Sequence, residues 1–363
     1  MSKPKEISVN GKQYFAWPYE EQTQVKHKVL GAYSRIWIAK LGCRSNTLFF
    51  DCHGGCGAYI KDDGSIHYGS SIIVKMIGDE VNEKRTFKTG VINCEIEKRY
   101  YDNFLNVVKD IGSVKIASYN DCFENVVKHS NVVKLYKQYP TLFLVDPFGY
   151  NFAISDLSEL MNSFGNEIIV NFMFDFINRF ISKPELEEVL TSFFGSDEWK
   201  QAISLSGQQR ETFLVNLFRS KLKEITGAKY VFSYRLCYPN KDQTYYYLIH
   251  ATNHIDGITL MKDAFASINN GHVQYLGKNN NVISLFDMNC YKADDIYKSF
   301  LVKYKGGKIE FNTFWAEIVE DTAYTIKDLS ESIKELETEG KVSIIRVSSK
   351  RGSYKNKDVI CVL

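Results

Sequence analysis

Six prolines in 363 residues, no low-complexity tract and no internal repeat leave little room for a disordered or solenoid reading. No apolar run approaches membrane-spanning length, and the opening MSKPKEISVNGKQYFAW has no apolar leader segment. A cytoplasmic, membrane-free protein is therefore expected. Charge of neither sign is in excess: 45 Lys plus Arg stand against 43 Asp plus Glu, a formal +2. No global field draws such a chain to nucleic acid, so any basic surface must be local. The eight cysteines (43, 52, 56, 94, 122, 237, 290 and 361) include one close pair, Cys52 and Cys56, and no second pair to complete a four-ligand zinc site. They are expected to stay reduced, without a metal. What is abundant is aromatic: 23 Tyr and 24 Phe within a hydrophobic content of 44%, mostly core of an ordinary globular chain.

Strand and helix patterns then alternate. Residues 20–41 place Val25, Val29, Leu30, Tyr33, Ile36, Trp37 and Ile38 on one helical stripe. NTLFFD reads as a buried strand entering a glycine loop, DCHGGCGAY. A helix follows from GSSIIVKMIGDEVN, with Ser70 or Ser71 as its cap. RTFKTGVINCE and VKIASYNDC are the next strands, with the amphipathic KRYYDNFLNVVKDI between them. FENVVKHSNVVKLY is a helix, PTLFLVDPFGY the plainest central strand, Ser155–Asn162 a helix, and EIIVNFMFD a fifth strand. Residues 177–226 read as a helical insertion. KYVFSYRLCYP and TYYYLIHATN, joined through NKDQ, read as a closing hairpin.

Five alternations and a terminal hairpin predict a Rossmann-like doubly wound α/β sheet on the class I methyltransferase-like plan. The hairpin puts its last strand antiparallel beside the fifth. This domain is expected to span 1–300, with a boundary near Lys303–Phe311. Residues 301–363 then read as a winged helix-turn-helix domain: FNTFWAEIVED a helix, TIKDLSESIKELETEG a short and a longer one, and KVSIIRVSSKRGSYKNKDVICVL a hairpin. The third helix is net acidic. The wing tip is basic through Lys350, Arg351, Lys355 and Lys357, the candidate nucleic-acid contacts.

Four of the strands end in a polar side chain at the edge where ligands bind in open α/β folds. Asp51 ends the first, and Gly55 and Gly57 follow it, allowing close approach of a ligand to the backbone. Glu95 closes the second, where a carboxylate can accept from both hydroxyls of a ribose. Asp121 closes the third, facing the position of a base. Asp146, Pro147 and Phe148 close the fourth, where chemistry would occur. A nucleoside-type ligand suits this set. Simpler roles exist for each: Asp51 as a cap, Glu95 paired with Lys98 or Arg99, Asp121 as turn material and Asp146-Pro147 as a strand terminator. Small residues at a tight loop account for Cys52 and Cys56, and packing for His53. His250, Asn253, His254 and Lys262, after the last strand, are candidates for a substrate channel or simply a hydrogen-bonded loop.

These residues make the chain similar to the three-Cys-motif partner proteins, a bacterial and phage family with a methyltransferase-like fold. The resemblance covers most of 20–265. It rests on KHKVLGAYSRIW, DCHGGCGAY, GSS at 69–71, FLVDPFG, NF at 171–172, and the long YRLCYPNKDQTYYYLIHATNHIDGITLMKDA. Cys52-His53-Gly54 and Cys56 depart from the family's Asp-x-Phe-Ala-Gly-Pro-Gly loop, and Ser71 stands where a proline is usual. The resemblance implies S-adenosylmethionine as cofactor and, as partner, a radical-SAM-like protein bearing three cysteines. Amino-methyltransferases of nucleic acids carry Asp-Pro-Pro-aromatic at the fourth strand; here Phe148 and Gly149 replace its last two positions. Two expectations stand: methyl transfer to DNA or RNA, or a nucleotide-binding accessory subunit of the radical-SAM-like partner.

Overall fold

The computed structural model describes residues 3–9, 11–147, 149, 151–238, 243–268, 273–276, 282–284, 293–347, 354 and 357–363. The chain divides into two compact units, Met1–Leu260 and Met261–Leu363, a division N-terminal to the Lys303–Phe311 segment expected from sequence.

The first unit opens with a hairpin, β1 (Lys5–Val9) and β2 (Lys12–Pro18), then the long helix α1 (Glu21–Leu41). The alternation follows: β3 (Thr47–Asp51), a small hairpin β4 (Ala58–Ile60) and β5 (Ile66–Tyr68), α2 (Ser70–Val81), β6 (Thr89–Cys94), α3 (Lys98–Ile111), β7 (Ala117–Tyr119), α4 (Phe123–Val126), α5 (Ser130–Gln138), β8 (Thr141–Val145) and β9 (Glu167–Phe172). Helices α6 (Phe174–Phe180), α7 (Glu187–Phe194) and α8 (Gly207–Thr226), with short 3-10 turns between them, form the expected insertion. The strands β10 (Tyr230–Cys237) and β11 (Thr244–Thr252) follow, then α9 (Ile255–Ala266), which runs across the division.

Within the first unit the central sheet runs β10-β11-β9-β8-β3-β6-β7. Strands β7, β6, β3, β8 and β9 are parallel to their neighbours. β11 lies antiparallel between β9 and β10. This is the doubly wound order with a closing hairpin that the sequence predicts. Chain order reverses at β3, whose two neighbours are β6 and β8, so the crevice outside the carboxyl ends of β3 and β8 is the topological switch point. All five residues of β3 and of β8 are buried, as sheet strands covered on both faces require.

Two local expectations differ. The 123–136 helix is broken into α4 and α5, and only a 3-10 turn, Ile154–Leu157, forms in the 155–162 stretch. Ile36 is exposed; the buried face of α1 carries Gln22, Lys26 and His27 in addition to its apolar residues.

A second sheet, β1-β2-β4-β5, was not foreseen. Its Ala16 and Ala58 pack with Ile72 of α2 and with Phe104 and Val107 of α3. Asn103 of α3 secures it: Oδ1 accepts from the Phe15 N–H at 2.7 Å, while Nδ2 donates to the Phe15 and Cys56 carbonyls at 2.9 and 2.7 Å.

The second unit contains the hairpin β12 (Val273–Leu276) and β13 (Val282–Ser284), α10 (Ala293–Ile296) continued by π and 3-10 turns to Tyr304, β14 (Lys308–Glu310), α11 (Phe311–Ile318), α12 (Ile326–Thr338), β15 (Val342–Ile345) and β16 (Val359–Val362). The last three strands form an antiparallel sheet ordered β14-β16-β15. One helix, not two, occupies TIKDLSESIKELETEG: a capping box between Thr325 and Asp328 starts it, and that reciprocal bonding satisfies the donors a second short helix would need.

Candidate active site

Asp51, at the end of β3, is fully buried. Its Oδ2 accepts from the hydroxyls of Ser70 and Ser71 at 2.7 and 2.9 Å. These serines therefore do not cap α2, whose N-cap is Gly69; they bind the strand end instead. Among the described residues Asp51 Oδ1 has no partner. Burial raises the carboxyl above its ordinary value despite the two hydroxyl donors. Beside it in register on β6, buried Asn93 has Oδ1 2.9 Å from the same Ser71 hydroxyl, whose single proton it shares with Asp51, and its Nδ2 has no partner among the described residues.

The glycine loop fits closely over this pair. A Cβ on Gly54 would stand 1.7 Å from Asn93 Oδ1, and one on Gly57 (φ +77°) 2.7 Å from Phe104 Cδ2. At Gly55 the only neighbour within 4 Å among the described residues, chain neighbours aside, would be Trp17 Nε1, at 3.9 Å. The loop is thus packed at Gly54 and Gly57 and open at Gly55. The α2 terminus reaches it by a detour: the β4–β5 hairpin intervenes, and the Gly69 N–H donates to the Gly57 carbonyl at 2.9 Å.

Glu95 follows β6 and is half-buried. Its Oε1 accepts from the Glu97 N–H at 2.7 Å rather than from Lys98 or Arg99, which pair with Asp102 and Glu97. Burial raises its carboxyl, opposed by the N–H groups of Glu97 and Gly55. Next to it Ile96 is 71% exposed, an apolar surface at the same rim. Asp121 is exposed, and one oxygen accepts from the Cys122 N–H at 2.8 Å and from Asn125 Nδ2 at 2.9 Å. The structure thus gives Asp121 the turn-capping contacts weighed as its simpler role.

At the end of β8, both oxygens of Asp146 are engaged. Oδ2 accepts from Lys26 of α1, and Oδ1 from Asn171 Nδ2 of β9. Burial opposes ionisation, but the Lys26 charge and these hydrogen bonds outweigh it and hold the carboxyl below its ordinary value. Pro147 is buried; Phe148 lies outside the described residues. His27 stands next to Lys26 with Nδ1 3.1 Å from the Tyr19 hydroxyl and Nε2 without a partner among the described residues. Burial, then the Lys26 charge, push its pKa down to about 3, so the ring is neutral. Tyr19, Tyr59, His27 and His67 pack with ring centroids 4.6–5.5 Å apart. His53 packs on Phe123, centroids 5.3 Å apart.

The structure brings Asp51, Gly55, Gly57, Glu95, Asp146 and Pro147 to one sheet edge. His250 is elsewhere. Its Nε2 lies 2.8 Å from Glu167, the first residue of β9, and the Tyr33 and Thr252 hydroxyls also donate to Glu167. That is the amino edge of the parallel strands, opposite the crevice, because β11 runs antiparallel. Asn253 donates to the Met161 carbonyl, and Lys262 to the Thr322 carbonyl in the second unit. The channel reading of His250 and Asn253 is thereby corrected. Cys52, Cys56 and Cys94 are buried free thiols, each pushed up by burial. Among the described residues no His, Cys, Asp and Glu cluster is placed to hold a metal. Lys357 is exposed; Lys350, Arg351 and Lys355 lie outside the described residues.

Sequence reasoning missed Asn93, Asn103 and the Lys26–Asp146–Asn171 connection. A signal existed for part of it: Lys26 and His27 lie in the block KHKVLGAYSRIW and Asn171 in the pair NF, both singled out in the sequence with no role attached.

The sequence matches no family model and no curated protein. Among solved structures the chain is similar to a protein from Legionella pneumophila, with a TM-score of 0.42, 13% identity, and 70% of this chain and 96% of that one covered. It is similar to an rRNA methylase from Streptococcus thermophilus at a TM-score of 0.29 and 12% identity, covering 60% and 93%. A third is magnesium protoporphyrin IX methyltransferase from Synechocystis, solved with SAM bound, at 0.31 and 7%, covering 68% and 86%. At such scores the strand order itself carries the fold.

Proposed function

We propose that the first unit binds S-adenosylmethionine in the crevice at the switch point and acts as a methyltransferase-like protein on nucleic acid. One observation carries the reading: among the described residues, buried Asp51 Oδ1 and Asn93 Nδ2 lack partners beside an uncovered Gly55 and a half-buried Glu95. An acceptor and a donor, both buried and unmet, call for a polar ligand. Asp51, Gly55, Gly57 and Glu95 would hold the cofactor, Glu95 accepting from ribose hydroxyls, with Asp121 at the rim toward the base. When bound, the cofactor supplies an electrophilic methyl on its sulfonium. This chain's own part is to orient and to exclude water; Asp146, Pro147 and Phe148 would stand on the acceptor side.

The second unit's order of helix, strand, helix, helix, strand, strand around a three-stranded antiparallel sheet supports a winged-helix reading. Its α12, with Asp328, Glu331, Glu335 and Glu337, suits a phosphate backbone poorly, so Lys350, Arg351, Lys355 and Lys357 would make those contacts. Replacing the four by alanine should flatten the salt dependence of DNA or RNA binding by roughly three to four units of log–log slope.

One observation favours the second reading, an accessory subunit of a radical-SAM-like three-Cys partner: both Asp146 oxygens are already occupied, leaving that carboxylate poorly placed to accept from a target amine. Calorimetric titration with S-adenosylmethionine and S-adenosylhomocysteine, with Glu95→Ala as control, tests the cofactor. Binding that the variant loses supports it and justifies a transfer screen over DNA and RNA. No binding by the wild type removes the methyltransferase reading.

A further inference from the structure

Asn171 lies at the level of Asp146 on the neighbouring strand, 4% exposed. Its Nδ2 donates to Asp146, and its Oδ1, also buried, has no partner among the described residues. The orientation of this amide is not free. An ionised carboxylate only accepts hydrogen bonds, so Asn171 must turn its NH2 toward Asp146 and its carbonyl away. Lys26, 7% exposed, keeps Asp146 ionised. A chain of three groups, cation to carboxylate to amide, thus ends in a fixed carbonyl oxygen with an unmet acceptor site.

We propose that Asn171 Oδ1, oriented by Lys26 through Asp146, is the hydrogen-bond acceptor for the group that receives the methyl, and that this group is an N–H or O–H donor. The proposal rests on the cofactor reading above. It moves the role expected of Asp146 one residue along the chain of hydrogen bonds. Asp146 becomes a positioning residue, and an acceptor lacking a proton to donate, such as a thioether, is disfavoured because the carbonyl would stay unpaired.

Sinefungin tests this without an identified acceptor, because it carries an amine where the cofactor carries its sulfonium methyl. The readout is the ratio of sinefungin to S-adenosylhomocysteine affinity, by calorimetry on the full chain. A charge-assisted bond to Asn171 should make sinefungin bind about tenfold more tightly in the wild type. Asn171→Leu should bring the ratio near one. Asn171→Ser, smaller and able to donate to Asp146 through its hydroxyl but without the carbonyl, should do the same if the leucine variant does not fold. Lys26→Met should lower the ratio by freeing the amide. A wild-type ratio of one would leave Asn171 with a bound water only and overturn the proposal. A preference retained in both Asn171 variants would overturn it too, returning the role to Asp146. Failure of both compounds to bind would instead defeat the cofactor reading.

Discussion

Asp51 and Asp146 end neighbouring strands, are both deeply placed, and respond to burial in opposite ways. Asp51 has two hydroxyl donors and no cation, so its folded pKa lies above the ordinary 3.8. A group raised in this way contributes stability that is present below 3.8 and lost as pH rises through the folded value. Asp51→Asn, whose carbonyl can still accept from Ser70 and Ser71, should therefore be more stable than wild type to urea at neutral pH. The gain should vanish below about pH 3.8, and ligand affinity should fall throughout. Asp146 is depressed by Lys26, so its contribution is present above 3.8 and lost as pH falls through the lower folded value. Asp146→Asn leaves the Lys26 charge uncompensated and should cost roughly 3 kcal/mol at neutral pH, a penalty that shrinks under strong acid. Urea midpoints across pH for both variants check the opposite signs. The positions of these two carboxylates were legible in the sequence because each ends an apolar run. Their difference was not: it depends on Lys26, 120 residues from Asp146, on a helical face where a lysine reads as solvent-facing.

At the scale of elements, the central-sheet strands from β3 to β11 were legible because buried runs end in punctuating residues, Asp51 or Asp146-Pro147, and helical periodicity fills the gaps. The first hairpin carried an Asn-Gly turn signal between alternating segments, in a stretch weighed only as a possible leader. Strands β4 and β5 have three residues each, too few for a period to register, and the pairing of β4 with β2 is nonlocal. Asn103 looks like any polar helix residue, yet it makes three bonds to two separated backbones. Asn103→Ala should cost about 2–4 kcal/mol, read from denaturant midpoints, and loosen the loop at Cys56 enough to weaken ligand binding. Two glycines separate packing from backbone strain. Gly57 and Gly64 both have positive φ, +77° and +81°, but a Cβ would meet Phe104 at the first and, among the described residues, nothing within 4 Å at the second. Gly64→Ala should cost about 1 kcal/mol and Gly57→Ala about 3 kcal/mol, with ligand binding lost only in the latter.

For the whole molecule, two compact units lead to more than one cooperative melting step. Scanning calorimetry in the presence of S-adenosylhomocysteine at 100 times its Kd should stabilise one step by about 2.7 kcal/mol and leave the other in place; a shift of both together would mean that the units unfold as one. The four-stranded small sheet has a consequence of another kind. It is assembled from two stretches far apart in the chain, the opening hairpin and the excursion that leaves at Gly57 and returns at Gly69, where the two glycines are hydrogen-bonded at its neck. An excursion closed at its neck can be excised or acquired without moving the helix that follows. Its removal would leave β2 with an unpaired edge, and removal of the opening hairpin would leave β4 with one. The expected outcome is that relatives of this chain carry both stretches or neither, which a comparison of their sequences checks.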